Sequence, residues 1–299
     1  MAKLLPVLVL RLSAGRSREG LDALSERAAR QMKSENFPVA LRLLPAGPRR
    51  DLARVYAFAR YVDDVGDETP LMPDARLDLL ARIERDVLVA AEGGTPNLAP
   101  VLGVAPLIQS GRVPSRPFLD LIEANRVDQR VSEYATFDDL LGYCRLSAAP
   151  VGRIVLHLAD AATPRNTEDA DAVCAALQIL EHCQDVGEDF RNGRCYLPGE
   201  ELDGARVPRT ELGSDRTSAA LRGVVAAQAV RACELLTAGP PLVGRLSGWA
   251  RVAVAGYVAG GLATGDALYS AHYDVLGRDI TPARSRTLRH ALRLLGSRP

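Results

Sequence analysis

Apolar side chains recur along this chain at the three- and four-residue spacing of an α-helix. Residues 73–91 show the pattern clearly, with Leu77, Leu80, Ile83 and Val87 on one stripe. Similar patterns predict helices over 21–33, 48–68, 115–130, 136–148, 168–190, 215–237, 248–276 and 282–295. The period-two alternation of strands is nearly absent. The pattern therefore predicts an all-α fold.

Turn-forming residues separate these segments. The predicted breaks are Pro45–Gly47, Gly93–Pro96, Ala162–Pro164, Leu197–Pro208 and Gly239–Pro241. No repeat and no shift in composition marks a boundary, so we predict one helical-bundle domain over 21–299. Residues 1–20 carry one lysine and an apolar run far shorter than the roughly 20 residues of a spanning helix. The run resembles a weak signal peptide, but we favour a disordered or flexible leader.

Composition narrows the functional classes. Acidic and basic residues balance at 37 each in 299 residues, so no strong field attracts nucleic acid. The five cysteines are an odd number without a CxxC pair, which argues against a disulfide framework and for a reducing compartment. We therefore expect a cytoplasmic protein that binds no nucleic acid.

Two predicted helices carry crowded carboxylates. The first ends in DDVGDE at 63–68, and one helical face carries Tyr56, Arg60, Asp63, Asp64 and Asp67. The second contains DVGED at 185–189, and its polar stripe carries Gln178, Glu181, His182, Asp185 and Asp189. A solvated outer face is the simplest explanation of a single acidic run, but the arrangement occurs twice.

Like charges at helical spacing repel, and each acidic turn also contains a glycine, Gly66 or Gly187, that weakens a helix by about 1 kcal/mol relative to alanine. A cation bound by exposed carboxylates would offset the repulsion, and glycine would admit a bulky ligand. Oxygen ligands suit Mg²⁺ or Mn²⁺, and Mg²⁺ characteristically combines one or two carboxylates with phosphate oxygens. The two motifs are thus predicted to face each other across one cleft that holds Mg²⁺ and diphosphate.

No competing site emerges from the other motifs. The four histidines are scattered without an HExxH pair, and no GxSxG, GxGxxG or Walker motif is present. Nucleotide binding and acyl transfer therefore have no support from the sequence.

Five blocks resemble the squalene/phytoene synthase family. They appear in the order of that family over roughly 30–295: SENFPVALRLLP (34–45), VYAFARYVDDVGDE (55–68), YCRLSAAPVGRIVL (143–156), LQILEHCQDVGEDFRNGRCYLP (177–198) and YSAHYDVLG (269–277). Within the family, ENFPVA, APVG and YDVLG are most similar to the hopanoid-pathway branch, which converts presqualene diphosphate and water to hydroxysqualene.

The resemblance implies an isoprenoid-synthase fold, with helices around a deep apolar cavity for prenyl chains. It implies metal-binding roles for Asp63, Asp67, Asp185 and Asp189, to which the crowding adds Asp64. It implies diphosphate-side roles for Arg60, Arg194 and Tyr196, and places Tyr56, Tyr143 and Gln178 near the reacting carbons. The aromatic faces expected to stabilise a carbocation are those of Phe37, Tyr56 and Tyr143.

The chain departs from the family pattern at two positions. Glu181 stands where relatives usually carry asparagine, which puts the metal affinity in doubt. Glu35 stands where carotenoid-type members often carry a basic residue, which weakens an assignment to phytoene or dehydrosqualene synthesis.

Three hypotheses follow. The leading one is an Mg²⁺-dependent enzyme that ends the reaction on presqualene diphosphate with water held by Tyr143, Ser147 or Gln178, without NADPH. The second is a squalene or carotenoid synthase that joins two farnesyl or geranylgeranyl diphosphates. The third is a non-catalytic helical assembly protein, which the intact acidic motifs disfavour. A lipid product also implies peripheral contact with the inner face of the membrane.

Overall fold

The computed structural model describes residues 44–68 and 72–296, and the side chains of Asp67, Glu68 and Pro73 are not among those described. Several predictions fall outside this part of the chain: the leader 1–20, the helix over 21–33, and the roles of Glu35 and Phe37. The fold below is that of the described residues alone.

The first of two compact units comprises residues 44–68, 72–130 and 153–162. Its helices are α1 (Ala46–Asp63), α2 (Pro73–Ala91), α3 (Ala99–Gln109) and α4 (Arg116–Val127), together with the later part of α6 (Ala149–Leu158). Helices α1, α2 and α4 contact one another or α3 along apolar faces. Phe58 of α1 and Phe118 of α4 meet edge to face at 5.2 Å, and both are fully buried. This core fixes α1, whose end carries the first acidic motif.

The second unit comprises residues 131–152 and 163–296. It contains α5 (Phe137–Ser147), the start of α6, α7 (Pro164–Gln184), α8 (Val186–Arg191), α9 (Gly199–Gly204), α10 (Ala219–Leu235), α11 (Gly239–Arg245), α12 (Gly248–Ser270) and α13 (Arg284–Gly296), with 3₁₀ turns at Arg209–Gly213 and Leu236–Ala238. Helix α7 is the centre, since α5, α10, α11 and α12 all contact it. It carries the residues that lead into the second acidic motif.

The long helices were predicted correctly, but several segments between them were predicted wrongly. The pattern over 73–91 corresponds to α2 residue for residue. Four helices were missed: α3, α6, α9 and α11. Helix α3 is apolar on most sides and contains Pro106, so it lacks the polar face that periodicity detects. The predicted break at Gly239–Pro241 is the first turn of α11, where proline is tolerated.

The described residues form no strand, and a single isolated parallel bridge joins Glu133 and Cys195. No helix among them is both long enough and apolar enough to cross a bilayer. No disulfide joins the five cysteines, all of which belong to the second unit. Burial raises the pKa of the Cys144 thiol to about 12 and that of Cys195 to about 11.

Candidate active site

The first acidic motif lies at a change of helix type. Helix α1 ends at Asp63, and Asp64–Glu68 continue as a π-helical turn rather than as the regular helix predicted over 48–68. Such turns are rare and often mark functional sites. Asp63 and Asp64 retain only 5% and 1% of their exposure. The expectation that these carboxylates are exposed was therefore wrong.

The buried charges at the end of α1 are partly neutralised within the protein. The Nε of Arg60 lies 2.7 Å from Oδ1 of Asp64, one helical turn away, and both side chains are buried. Removing either charge alone would leave the other buried without this partner, which is unfavourable. Tyr56, one turn earlier, is also buried.

Helices α2 and α4, together with the residues just after α4, hold the π-helical turn in place. The Asn125 amide donates to Oδ1 of Asp63 at 3.1 Å, and Arg76 and Gln129 donate to the Gly66 carbonyl at 2.9 and 3.0 Å. A Cβ on Gly66 would lie 2.2 Å from Oδ1 of Asn125. The Asn125 side chain thus leaves no room for a Cβ at Gly66, and the ligand contact that the sequence suggested for this glycine stays a prediction.

Sequence reasoning did not identify these three supporting residues. The available signal was the i, i+4 pair of amides, Asn125 and Gln129, on the helix predicted over 115–130. Nothing in the sequence relates that helix to the acidic motif some 60 residues earlier.

The second acidic motif lies at a helix break. Helix α7 ends at Gln184, Asp185 leaves helical geometry with φ −99° and ψ 11°, and α8 begins at Val186. The single helix predicted over 168–190 is therefore two. Asp185 and Asp189 are both half-buried. A Cβ on Gly187 would lie 3.2 Å from Cδ2 of Leu276, a tight contact that a small shift of the leucine would relieve.

His182 connects the second motif to Gln178. The Nε2 of His182 lies 2.9 Å from Nε2 of Gln178, and its Nδ1 lies 3.4 Å from Oδ2 of Asp189. The ring also stacks on Tyr196, with centroids 3.7 Å apart and planes 14° apart. Burial lowers the pKa of His182, although Asp189 acts in the opposite direction.

Two further tyrosines join Tyr196 in this cluster. Tyr143 lies 5.6 Å from Tyr196 between ring centroids, and Tyr134 lies 5.2 Å from Tyr143 and 5.9 Å from Tyr196. All three are at least nine-tenths buried. Tyr134 was missed by the sequence analysis because it precedes α5 in a loop, where periodicity gives no signal. Arg194, two residues before Tyr196, is half-buried.

Two buried polar atoms near these groups have no hydrogen-bond partner among the described residues. They are Oγ of Ser147 on α5 and Oε1 of Gln178 on α7, whose side chains are 0% and 1% exposed. Buried polar atoms almost always find a partner, so each exception calls for an explanation. Both were candidates from the sequence for holding a water molecule.

The carboxylates fit Mg²⁺ sites that phosphate oxygens and water complete, and not sites made of protein ligands alone. No three histidine, cysteine or acidic side chains in the described part of the chain converge to hold an ion alone. Mg²⁺ characteristically takes only one or two carboxylates and completes its octahedron with phosphate oxygens and water. Asp63, Asp185 and Asp189 suit that use, whereas Asp64 already faces Arg60. The common cleft predicted for the two motifs stays a prediction.

Comparison with known proteins agrees with the geometry. Residues 30–289 match the family described as squalene/phytoene synthase. The chain is 37% identical over 221 residues to a hydroxysqualene synthase of Rhodopseudomonas palustris, covering 74% of each protein. It is 31% identical over 216 residues to a phytoene synthase of Mycobacterium bovis, covering 71% of this chain and 70% of that protein.

A solved structure shows the same fold. A squalene synthase from Alicyclobacillus acidocaldarius superposes with a TM-score of 0.75 at 32% identity, covering 86% of this chain and 97% of the other. The predicted all-α isoprenoid-synthase type of fold is thereby confirmed.

Proposed function

Because the chain belongs to the squalene/phytoene synthase family, we propose that it converts presqualene diphosphate and water to hydroxysqualene and diphosphate. The relatives named hydroxysqualene synthase, at 34–37% identity over more than 70% of the chain, support this branch. Squalene and phytoene synthases share the first ionisation step. The choice between the candidate reactions therefore depends on whether water, hydride or proton loss quenches the carbocation.

The observation that carries the proposal is the pair of buried polar atoms that have no hydrogen-bond partner in the described part of the chain, Oε1 of Gln178 and Oγ of Ser147. Gln178 is surrounded on α7 by buried apolar residues such as Ile179 and Leu180. An acceptor in such a setting can hold one water while bulk water is excluded, which is the condition for controlled capture of a carbocation.

The reaction balances without a redox partner. The carbon–oxygen bond to diphosphate breaks and its electron pair leaves with the diphosphate. The cyclopropane ring of the resulting cation then opens, and the electron pair of the broken ring bond fills the first cationic carbon and leaves a new cationic carbon. The water oxygen bonds to that carbon, and one water proton passes to diphosphate or solvent. Oε1 of Gln178 accepts a hydrogen bond from the water. This hydrogen bond directs a lone pair of the water oxygen at the cationic carbon.

The acidic and basic residues stabilise the diphosphate as it leaves. Bound Mg²⁺ supplies Lewis-acid neutralisation of the diphosphate charge. Asp63, Asp67, Asp185 and Asp189 are the residues that would hold it, and Arg194 is the candidate for a direct contact with phosphate oxygens. Arg60 acts in this proposal through Asp64, since the two form a buried ion pair.

The tyrosine cluster is the candidate for stabilising the carbocation. Each aromatic face near a cation contributes about 0.5–2 kcal/mol. Tyr143 and Tyr196 lie in one stack with His182, which keeps their rings in fixed orientations. Their packing also excludes water from the side on which they lie.

The test is incubation of the protein with presqualene diphosphate and Mg²⁺ in ¹⁸O-water without NADPH. We expect hydroxysqualene that carries the label, and none from Asp189→Asn. Squalene made from farnesyl diphosphate only with NADPH would favour the squalene synthase alternative.

The second candidate is a carotenoid-type synthase, since relatives named phytoene synthase match at 31% identity. It would join two prenyl diphosphates and end by proton loss, with no oxygen from water in the product. Offering geranylgeranyl and farnesyl diphosphate in the same assay separates the two reactions by product mass.

We further propose that α13 lies against an anionic membrane surface. Its outward face carries Leu288 and Leu292, which are 60% and 62% exposed, beside three exposed arginines, and α13 contains no acidic residue. Basic amphipathic helices of this kind bind anionic lipid surfaces through apolar burial and charge attraction. The opposite side of α13 packs on α12 through residues such as Leu294.

Vesicle sedimentation tests this surface. The double variant Leu288→Ser/Leu292→Ser should bind phosphatidylglycerol vesicles at least tenfold more weakly, since full burial of each leucine contributes roughly 1.5–3 kcal/mol. Leu102→Ser is the matched control, because Leu102 is 44% exposed in the first unit. Unchanged binding of the double variant would exclude α13 as the contact.

A further inference from the structure

His182 occupies a position that simple packing does not explain. The residue is only 7% exposed, yet both ring nitrogens have polar neighbours, Gln178 at 2.9 Å and Asp189 at 3.4 Å. A phenyl ring could make the same stack on Tyr196 without them. The two nitrogen contacts therefore indicate a role beyond filling space.

The direction of the hydrogen bonds follows from the donor inventory. A carboxylate only accepts, so the contact with Asp189 requires the proton on Nδ1. In the neutral ring Nε2 then carries a lone pair and accepts from the Gln178 amide nitrogen. This leaves Oε1 of Gln178, the atom without a partner among the described residues, directed away from the ring.

We propose that His182 is a positioning residue that joins the metal-motif carboxylate of Asp189 to the amide of Gln178, so that one imidazole sets both orientations. This rests on the proposed function for the role of Gln178, but its effect on Asp189 does not depend on the prenyl substrate. His182 touches neither diphosphate nor carbocation in this arrangement. It acts through its two neighbours.

Residues that orient a metal ligand typically change metal affinity by about 10–100-fold when replaced. The imidazole N–H holds one oxygen of Asp189 and leaves the other carboxylate oxygen for the cation. Losing that bond frees the carboxylate to rotate. The same loss releases the amide of Gln178, which can then turn its oxygen toward the vacated ring position.

Three substitutions separate the two contacts. His182→Phe retains a ring for the stack on Tyr196 and removes both contacts. His182→Asn retains a donor near the Nδ1 position, toward Asp189. His182→Gln places its amide near the Nε2 position, toward Gln178. Urea unfolding of each variant identifies any that is merely unstable, and the asparagine and glutamine variants keep the test open if the phenylalanine variant fails to fold.

The metal readout uses Mn²⁺ and inorganic diphosphate, followed by electron paramagnetic resonance without prenyl substrate. We expect His182→Phe and His182→Gln to bind Mn²⁺ about 10–100-fold more weakly, and His182→Asn to stay within a few-fold of the native protein. In an Asp189→Asn background, His182→Phe should cause little further loss. Native affinity in the phenylalanine variant, or fully additive losses, would overturn the proposal.

The second readout is the product mixture from presqualene diphosphate. His182→Asn should bind Mn²⁺ well yet form less hydroxysqualene relative to elimination products, because Gln178 is no longer held. An unchanged product ratio would remove Gln178 from the proposal. If the native protein does not turn over presqualene diphosphate, the proposed function fails while the Mn²⁺ result still decides the coupling to Asp189.

Discussion

At the scale of single residues, the burial of Asp63 changes what its removal should do. Asn125 donates one amide hydrogen to Asp63 and the other to the Leu121 carbonyl. Asp63→Ala should therefore lower the free energy of unfolding by about 1–3 kcal/mol, because a buried donor loses its acceptor.

Asp63→Asn separates stability from catalysis. It retains an acceptor for Asn125 but not the negative charge, so we expect near-native urea unfolding and a fall in kcat on the order of 10²–10³-fold, typical for loss of one electrostatic stabiliser. Steady-state kinetics with saturating Mg²⁺ gives the measurement. Near-native turnover would exclude Asp63 as a metal ligand.

Gly66 provides a second prediction at this scale. Gly66→Ala places a Cβ against Asn125 and should lower the free energy of unfolding by about 1–3 kcal/mol, the usual penalty of overpacking. Asn125→Ala alone is also unfavourable, but the double variant should lose less than the sum, because the clash disappears. Strict additivity would show that the two residues are not coupled.

Gly103→Ala serves as the control for Gly66. Gly103 lies in α3 of the same unit, and a Cβ there meets no atom within 4 Å. Its replacement should leave stability unchanged or raise it by about 1 kcal/mol, since alanine favours the helix.

The sequence identified the chemistry of these residues better than their surroundings. The carboxylates of Asp63, Asp185 and Asp189 were apparent from helical spacing and from family resemblance. The burial of Asp63 was not, because it depends on Asn125, a residue of another helix. A single sequence does not relate helices that lie 60 residues apart.

At the scale of elements, long amphipathic helices were predictable and interruptions were not. A stripe of apolar residues identifies α2 without ambiguity, but the same spacing continues through the π-helical turn after Asp63 and through the break at Asp185. The first interruption is held by tertiary contacts, those of Arg76 and Gln129 with Gly66. The spacing of apolar residues along the sequence carries no information about such contacts.

The N-terminus of α5 gives a prediction for one element. The Thr136 hydroxyl accepts from the Asp139 amide at 3.1 Å, and the Asp139 carboxylate accepts from the Thr136 amide at 3.0 Å. Thr136→Ala should lower the free energy of unfolding by about 1 kcal/mol, as loss of a helix cap does. Thr136→Ser should retain most of it, and the product ratio should not change in either variant. A changed ratio would mean that the cap also sets the position of Tyr143.

At the scale of the whole molecule, the all-α class followed from the pattern, and the family followed from five ordered blocks. The prediction that both acidic motifs serve one diphosphate can be tested through stability. Mg²⁺ with inorganic diphosphate at a hundredfold excess over Kd should raise the free energy of unfolding by about 2.7 kcal/mol. Asp63→Asn and Asp189→Asn should each abolish most of this gain, and the double variant should lose little more. Additive partial losses would indicate two separate anion sites.

The distribution of cysteines has a practical consequence for following these variants. All five thiols belong to the second unit, and Cys144 and Cys183 are completely buried there. A maleimide therefore reacts with those two only when α5 or α7 opens, and it is blind to the first unit. The rate at which maleimide mass is added at Cys144 and Cys183 thus reports the opening of the second unit. Opening confined to the first unit, which contains no cysteine among its described residues, would change the circular dichroism without labelling Cys144 or Cys183.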